Sequence, residues 1–158
     1  MIPNDRAFNG KSSYEDNGKT ITRWHQIKYE GEYQLQFRFV SVNSIYRQGI
    51  ALFFSEFAGQ VLLDGVPLKI PKNVFGHYVF REDEFPSKEF ILSVCVEKGY
   101  LFFGSASERP ELGIFTSGAF GNAFWFEEIS DKVYRFHCND HELDDDFDDM
   151  IFEMSVII

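Results

Sequence analysis

The stretch GEYQLQFRFVSV, residues 31–42, decides the fold class. Tyr33, Leu35, Phe37 and Phe39 alternate with Gln34, Gln36 and Arg38. A period of two puts the first set on one face of a strand and the second on the other, one buried and one wet. The same period recurs outward in both directions. In KEFILSVCVEKGYLFFGS, Phe90, Leu92, Val94 and Val96 share a face, Lys98-Gly99 reads as a turn, and Tyr100–Phe103 as the return. GIALFF (49–54) reads as a short buried strand. In GQVLLDGVPLKI, Asp64-Gly65 is a strong hairpin signal, and Pro67 after it marks an edge strand. NAFWFEEISDKVYRFHC reads as a hairpin turning at Ser130-Asp131. MIFEMSVI closes the pattern with Met150, Phe152, Met154 and Val156 on one face.

Residues 105–122, rich in Gly and Ser, read as a long loop, and residues 1–18 as a loose lead-in. No segment sustains helical spacing for three turns, and no repeat of fixed period is present. Eight to ten strands with turn signals between them predict an all-β protein. The expected architecture is a single-domain antiparallel β-sandwich of jelly-roll type spanning 1–158.

Composition fits that expectation. The chain has 158 residues, 44% of them apolar, with 19 Phe, 7 Tyr and 2 Trp. A chain of this length buries roughly two-thirds of its unfolded surface. The net charge is −10 and it is local: residues 139–149 hold seven acidic residues and no Lys or Arg. This argues against nucleic acid, which needs a basic face. It suits a cation or a basic protein partner. Two cysteines, Cys95 and Cys138, allow one disulfide at most and fit a reducing compartment. The polar N-terminal stretch holds no apolar signal segment, and no apolar run approaches a membrane span. The expected location is therefore the cytoplasm.

Motifs for catalysis are absent. The sequence has no phosphate-cradling glycine loop, no G-x-S-x-G elbow, no H-E-x-x-H and no paired C-x-x-C. His137 and Cys138 are adjacent and His141 follows, which raises a zinc site. Neighbours in a strand face opposite ways, however, so one ion cannot take both. The acidic run beside Cys138 raises a thiol pKa, which argues against a nucleophile. Cys95, mid-strand, reads as structural. A cupin-like metalloenzyme would need His25, His77, His137 and His141 to converge. Paired carboxylates next to Phe124, Trp125 and Phe126 raise a glycosidase or a sugar platform; a core strand is the plainer reading of those aromatics. A non-enzymatic protein is expected.

The run CNDHELDDDFDD (138–149) offers carboxylates at Asp140, Glu142, Asp144, Asp145, Asp146, Asp148 and Asp149. Calcium takes six to eight oxygens from such loops. The EF-hand pattern fails, because Asp149 stands where Gly is needed and Ser155 where the closing Glu is needed. Like charges this dense repel, so they draw a cation, draw a basic partner, or point apart into water. Phe147 in their midst would fix the flanking carboxylates. DDDFDDMIFEM (144–154) resembles the closing signature of bacterial β-sandwich modules of unknown function, D-x-D-[FY]-N-D-[LMF]-[VI]-F-x-[VI], with Asp148 in the usual Asn place. That resemblance covers about the last twenty residues. It implies calcium-supported binding, with Asp144, Asp146, Asp148 and Asp149 as the metal ligands and no other cofactor.

Two functions follow as expectations. One is a non-catalytic β-sandwich binding module for a carbohydrate or a protein, with structural Ca2+ in the C-terminal acidic loop. Loop 105–122 and the aromatics 124–126 would be its contacts. The other is a small acidic cytoplasmic interaction or immunity-type protein that covers a basic partner.

Overall fold

The computed structural model describes residues 13–70, 77–118, 122–140 and 147–158. Its strands are β1 (Ser13–Asp16), β2 (Lys19–Thr22), β3 (His25–Ile27), β4 (Gly31–Val42), β5 (Gln48–Leu63) and β6 (Val66–Pro67). They continue with β7 (His77–Arg81), β8 (Glu89–Arg109), β9 (Ile114–Thr116), β10 (Ala123–Ser130), β11 (Val133–Asn139) and β12 (Met150–Ile157). The protein is all-β, and every pairing is antiparallel. A 3-10 turn spans Glu82–Glu84, and the described residues hold no α-helix. No helix there is long and apolar enough to cross a membrane.

Hydrogen bonds run along one sheet in the order β1-β2-β10-β11-β12-β4-β8-β5-β6, with β3 and β9 also on β8 and β7 on β5. The sheet folds over on itself. β4 pairs with the first half of β8, Phe37 against Phe90. Phe37 also meets Phe103, from the second half of β8, edge-on at 4.9 Å. His25, paired to Phe103 on β3, reaches Phe126 and Phe136 on β10 and β11 at 4.7 and 5.3 Å. Those contacts define two packed layers, a sandwich made from one sheet. The strand order does not establish jelly-roll winding.

The fold-over comes from a shared bend in β5 and β8. Their register shifts between Ser55 and Gly59, as a bulge does when it bends a strand. A Cβ on Gly99 (φ +82°) would lie 2.3 Å from the Glu56 carbonyl oxygen, and one on Gly59 would lie 2.0 Å from that of Cys95. Only glycine fits such close backbone approaches. Lys98-Gly99 is therefore no hairpin turn: β8 runs unbroken from Glu89 to Arg109 against β5. The short strand expected at 49–54 is likewise part of the longer β5.

Other boundaries shift too. Residues 105–109 belong to β8 and 114–116 to β9, so the long loop shrinks. The β10–β11 turn is Asp131-Lys132, since Ser130 pairs with Val133. Part of the expected lead-in is ordered: Asn17-Gly18, with φ of 55° and 80°, joins β1 to β2. Positive φ at both central residues is the hairpin geometry that matches strand twist. Asp64-Gly65 does the same for β5 and β6, as expected, with φ of 47° and 84°. Pro67 lies on the terminal strand of the path, where its missing N–H costs nothing.

The core is phenylalanine-rich. Phe37, Phe90, Phe103, Phe124, Phe136 and Phe152 are all essentially excluded from water. Burying each contributes about 2–3 kcal/mol. The alternation read in β4 and β12 holds: Tyr33, Leu35, Phe37 and Phe39 are buried, as are Met150, Phe152, Met154 and Val156. On the opposite face of that layer, paired residues of five strands alternate in charge: Glu127, Arg135, Glu153, Arg38 and Glu89. Glu153 is buried there between Arg38 and Arg135, and Arg135 Nη2 donates to its carboxylate at 2.6 Å. Burial alone would raise its pKa. The two guanidinium groups outweigh that and hold it below the usual glutamate range.

Candidate functional site

Follow the inward face of four strands toward one end of the sandwich and it changes character each time. On β5 it reads Leu52, Ile50, Gln48. On β8 it reads Leu101, Phe103, Ser105, Ser107. At the start of β10, Phe124 is preceded by Asn122. On β11 it reads Phe136, Cys138, Asp140. Pairing brings these steps level, with Gln48 opposite Ser107, Ile50 opposite Ser105, and Phe124 opposite Cys138. The core is dry along most of its length and polar at this end. Apart from Glu153, every buried polar or charged residue among those described sits here.

Most of these groups are tied by hydrogen bonds, in two sets. The Asn122 amide has one orientation that satisfies it. Its oxygen accepts from Ser107 Oγ at 2.9 Å, and its nitrogen donates to the Thr116 and Ser117 carbonyl oxygens at 3.1 and 3.3 Å. Gln48 Nε2 donates to the Tyr46 carbonyl at 3.1 Å. Tyr46 N–H donates to Ser44 Oγ at 3.0 Å, and Ser44 Oγ donates to Asp140 Oδ2 at 2.8 Å. The chain of bonds continues from Asp140 N–H to Asp149 Oδ2 at 2.9 Å. Gln48 Oε1, although buried, has no hydrogen-bond partner.

The acidic run meets these groups at its two ends. Its two ends are tied together by Asp149 holding Asp140, and by Asn139 Oδ1 accepting from Phe147 N–H at 2.9 Å. Phe147 has φ +51°, a strained value for an aromatic. Its ring is buried against Ile21 and Ala123, with Trp125 alongside. That burial offsets the strain. Asp149 and Asp140 are each only 5% exposed. Asp148 is half-buried and accepts from Asn43 Nδ2 at 3.2 Å. Two of the sequence-derived ligands, Asp144 and Asp146, lie outside the described residues, as do His141 and Glu142. The structure thus brings Asp148 and Asp149 to one place and adds Asp140, with Ser44 and Asn43 from the β4–β5 connection. Among the described residues no three His, Cys, Asp or Glu side chains form a metal-sized cluster.

His137 and Cys138 face opposite ways, as strand neighbours do. Cys138 is wholly buried, and both cysteines are free thiols. Burial pushes the Cys138 thiol pKa up, Ser105 beside it draws it down, and the Asp149 charge adds to the rise. It is held as a thiol, not a nucleophile. His137 stacks on Trp125 with ring centroids 3.9 Å apart and pairs with Glu127 at 2.7 Å. Lys19 Nζ lies 4.0 Å from the Trp125 ring centre. Lys19 and His137 come from the strands on the two sides of β10, and both contact the Trp125 ring. Trp24 packs edge-on against Phe53 at 4.4 Å and covers Gly104 and Gly118, where a Cβ would meet its ring at 2.9 Å. Both tryptophans are half-buried parts of the fold.

No family model, no curated protein and no solved structure matches the chain.

Proposed function

We propose that the protein is a non-catalytic β-sandwich binding module that works through the polar end of its core, with a cation held in the acidic loop above it. The observation that carries this is the burial of both Asp140 and Asp149 at the base of the loop, where the Asp149 carboxylate accepts from the Asp140 N–H. Carboxylates taken out of water favour positive charge beside them. The run between them adds more oxygens within a few residues, and all-oxygen donors suit calcium. Asp144, Asp146, Asp148 and Asp149 supply the oxygen ligands of the metal, and Asp140 joins them. Asp149 also serves as the latch, through the Asp140 N–H. The Lys19 and His137 contacts on the Trp125 ring favour a protein over a carbohydrate as the target of the module. Free thiols at Cys95 and Cys138 agree with a reducing, cytoplasmic setting.

Calorimetric titration of chelator-treated protein with CaCl2, and separately with MgCl2, tests the cation. A saturable calcium site tighter than about 1 mM is expected, lost in Asp146→Asn with Asp148→Asn. Heat from neither ion would discard the cation and leave the second reading, an acidic immunity-type protein that covers a basic partner. That reading has its own support: the acidity is confined to one loop, where electrostatic steering would act.

A further inference from the structure

The connection from β4 to β5, Asn43 to Arg47, is held at nearly every residue. Asn43 N–H donates to the Asp149 carbonyl at 2.9 Å, and its side chain donates to Asp148. Ser44 donates to Asp140, and Tyr46 N–H donates back to Ser44. Arg47 grips Asp83 through Nε and Nη2 at 2.6 and 2.9 Å and reaches Glu108 at 3.3 Å. One residue stands outside this frame. Ile45 is 90% exposed, the most exposed large apolar side chain among those described. Val40 and Val42, just before it, are exposed as well.

A lone surface isoleucine is ordinary. An isoleucine at the apex of a loop already fixed on both flanks is a different case. Docking it orders little new backbone, so most of the apolar burial is retained as affinity. The surroundings say what it docks into. Arg81 is committed to Glu84, Lys88 to Glu82, and Arg47 to Asp83 and Glu108. Four carboxylates thus face three cations on this side, and the half-buried Asp148 meets the loop through Asn43 on the other. We infer that Ile45, with Val42 beside it, is the anchor for a protein partner that offers an apolar pocket rimmed by Lys and Arg. A second copy of this chain is disfavoured, because it would bring the same negative rim. The inference rests on the binding-module reading but not on calcium.

The test uses two synthetic peptides of equal charge, one of eight lysines and one of eight lysines interspersed with four leucines. Each is titrated into the full chain by fluorescence anisotropy at about 0.1 M salt, where surface charge is partly screened. The leucine-bearing peptide is expected to bind about tenfold tighter, the effect of one well-buried anchor. Ile45→Asp should cut that advantage to about twofold or less, and Ile45→Val should keep most of it. The exposed side chain makes loss of folding a minor concern, and an unchanged melting temperature confirms it. Equal binding of the two peptides, or an advantage that survives Ile45→Asp, overturns the inference. So does sedimentation showing a dimer that Ile45→Asp dissolves, which would give the surface to a second copy. Calcium titration of the same Ile45→Asp protein reads the cation site separately and should be unchanged.

Discussion

The two ends of this sandwich are built from the same strands, yet they do different work. Along most of β5, β8, β10 and β11 the inward residues are Leu, Ile and Phe. At one end they become Gln48, Ser105, Ser107, Asn122 and Asp140. The apolar length contributes folding free energy. The polar end contributes little and has to be satisfied bond by bond, since each buried polar group left unmade costs about 1–3 kcal/mol. Nothing about stability requires Asp140 and Asp149 to be buried together. There Asp149 accepts from the Asp140 N–H and Asp140 accepts from Ser44, and the proposed cation would add to these bonds.

Changes along the apolar length should cost the most. Phe37, fully buried, stacks on Phe90 and meets Phe103 and Phe152. Phe37→Ala should cost about 3–5 kcal/mol in urea unfolding, which for a domain of this size lowers the melting temperature by roughly 10 °C or more. An effect under about 1 kcal/mol would mean that the two layers are not held together by this cluster.

Acid should act next. Burial, with the Lys28 charge adding to it, lowers the His25 pKa from 6.5 to about 4. The unfolded chain takes up a proton below pH 6.5, while the folded imidazole stays neutral among its aromatic neighbours. Stability therefore falls as pH drops from 6.5 to 4 and stops falling below that, on this group's account. The loss is about 3 kcal/mol by linkage. His25→Phe should flatten that part of the profile. An unchanged slope between pH 6.5 and 5 would show that His25 is open to water and the layers are splayed at β3.

The bend is a third probe. Gly99→Ala places a Cβ against the Glu56 carbonyl at a φ that alanine resists, and about 2 kcal/mol or more should be lost. Gly65→Ala has open space around it and should cost only about 1 kcal/mol of backbone strain. Urea midpoints of the two variants separate crowding from strain, and equal costs would deny the close approach of β5 and β8.

The smallest effect sharpens the comparison from the polar side. Asp149→Asn keeps an oxygen to accept the Asp140 N–H and removes the charge. Stability in chelator should change by less than about 1 kcal/mol. A large loss in the thermal unfolding of this variant would make the polar end part of the folding core after all.

What could be read in the sequence divides along the same line. β4, β12 and the Asp64-Gly65 hairpin are legible because local pattern and burial agree. β8 is not, because a glycine demanded by a bulge looks the same as one demanded by a turn; Gly99 bends a strand where it seemed to end one. Asn17-Gly18 carried a hairpin signal as strong as Asp64-Gly65, but its flanking strands are short and polar. The polar end was hidden for another reason. Its residues come from the ends of four strands, and each one alone looks like the start of a loop. Ser105 and Ser107 read as loop composition, yet they continue the alternation of Leu101 and Phe103. Carrying the inward face past the last apolar residue would have found them. The acidic run was visible, but its latch was not, since Ser44 and Asn43 lie far away in sequence.

The most direct test is thermal unfolding of chelator-treated protein with and without millimolar calcium, beside Asp146→Asn with Asp148→Asn. A ligand at about a hundred times its dissociation constant stabilises by about 2.7 kcal/mol, a rise of roughly 5–10 °C here. That rise in the natural sequence, absent in the double variant and absent with magnesium, is what a cation-binding polar end predicts. Identical curves with and without calcium would contradict it.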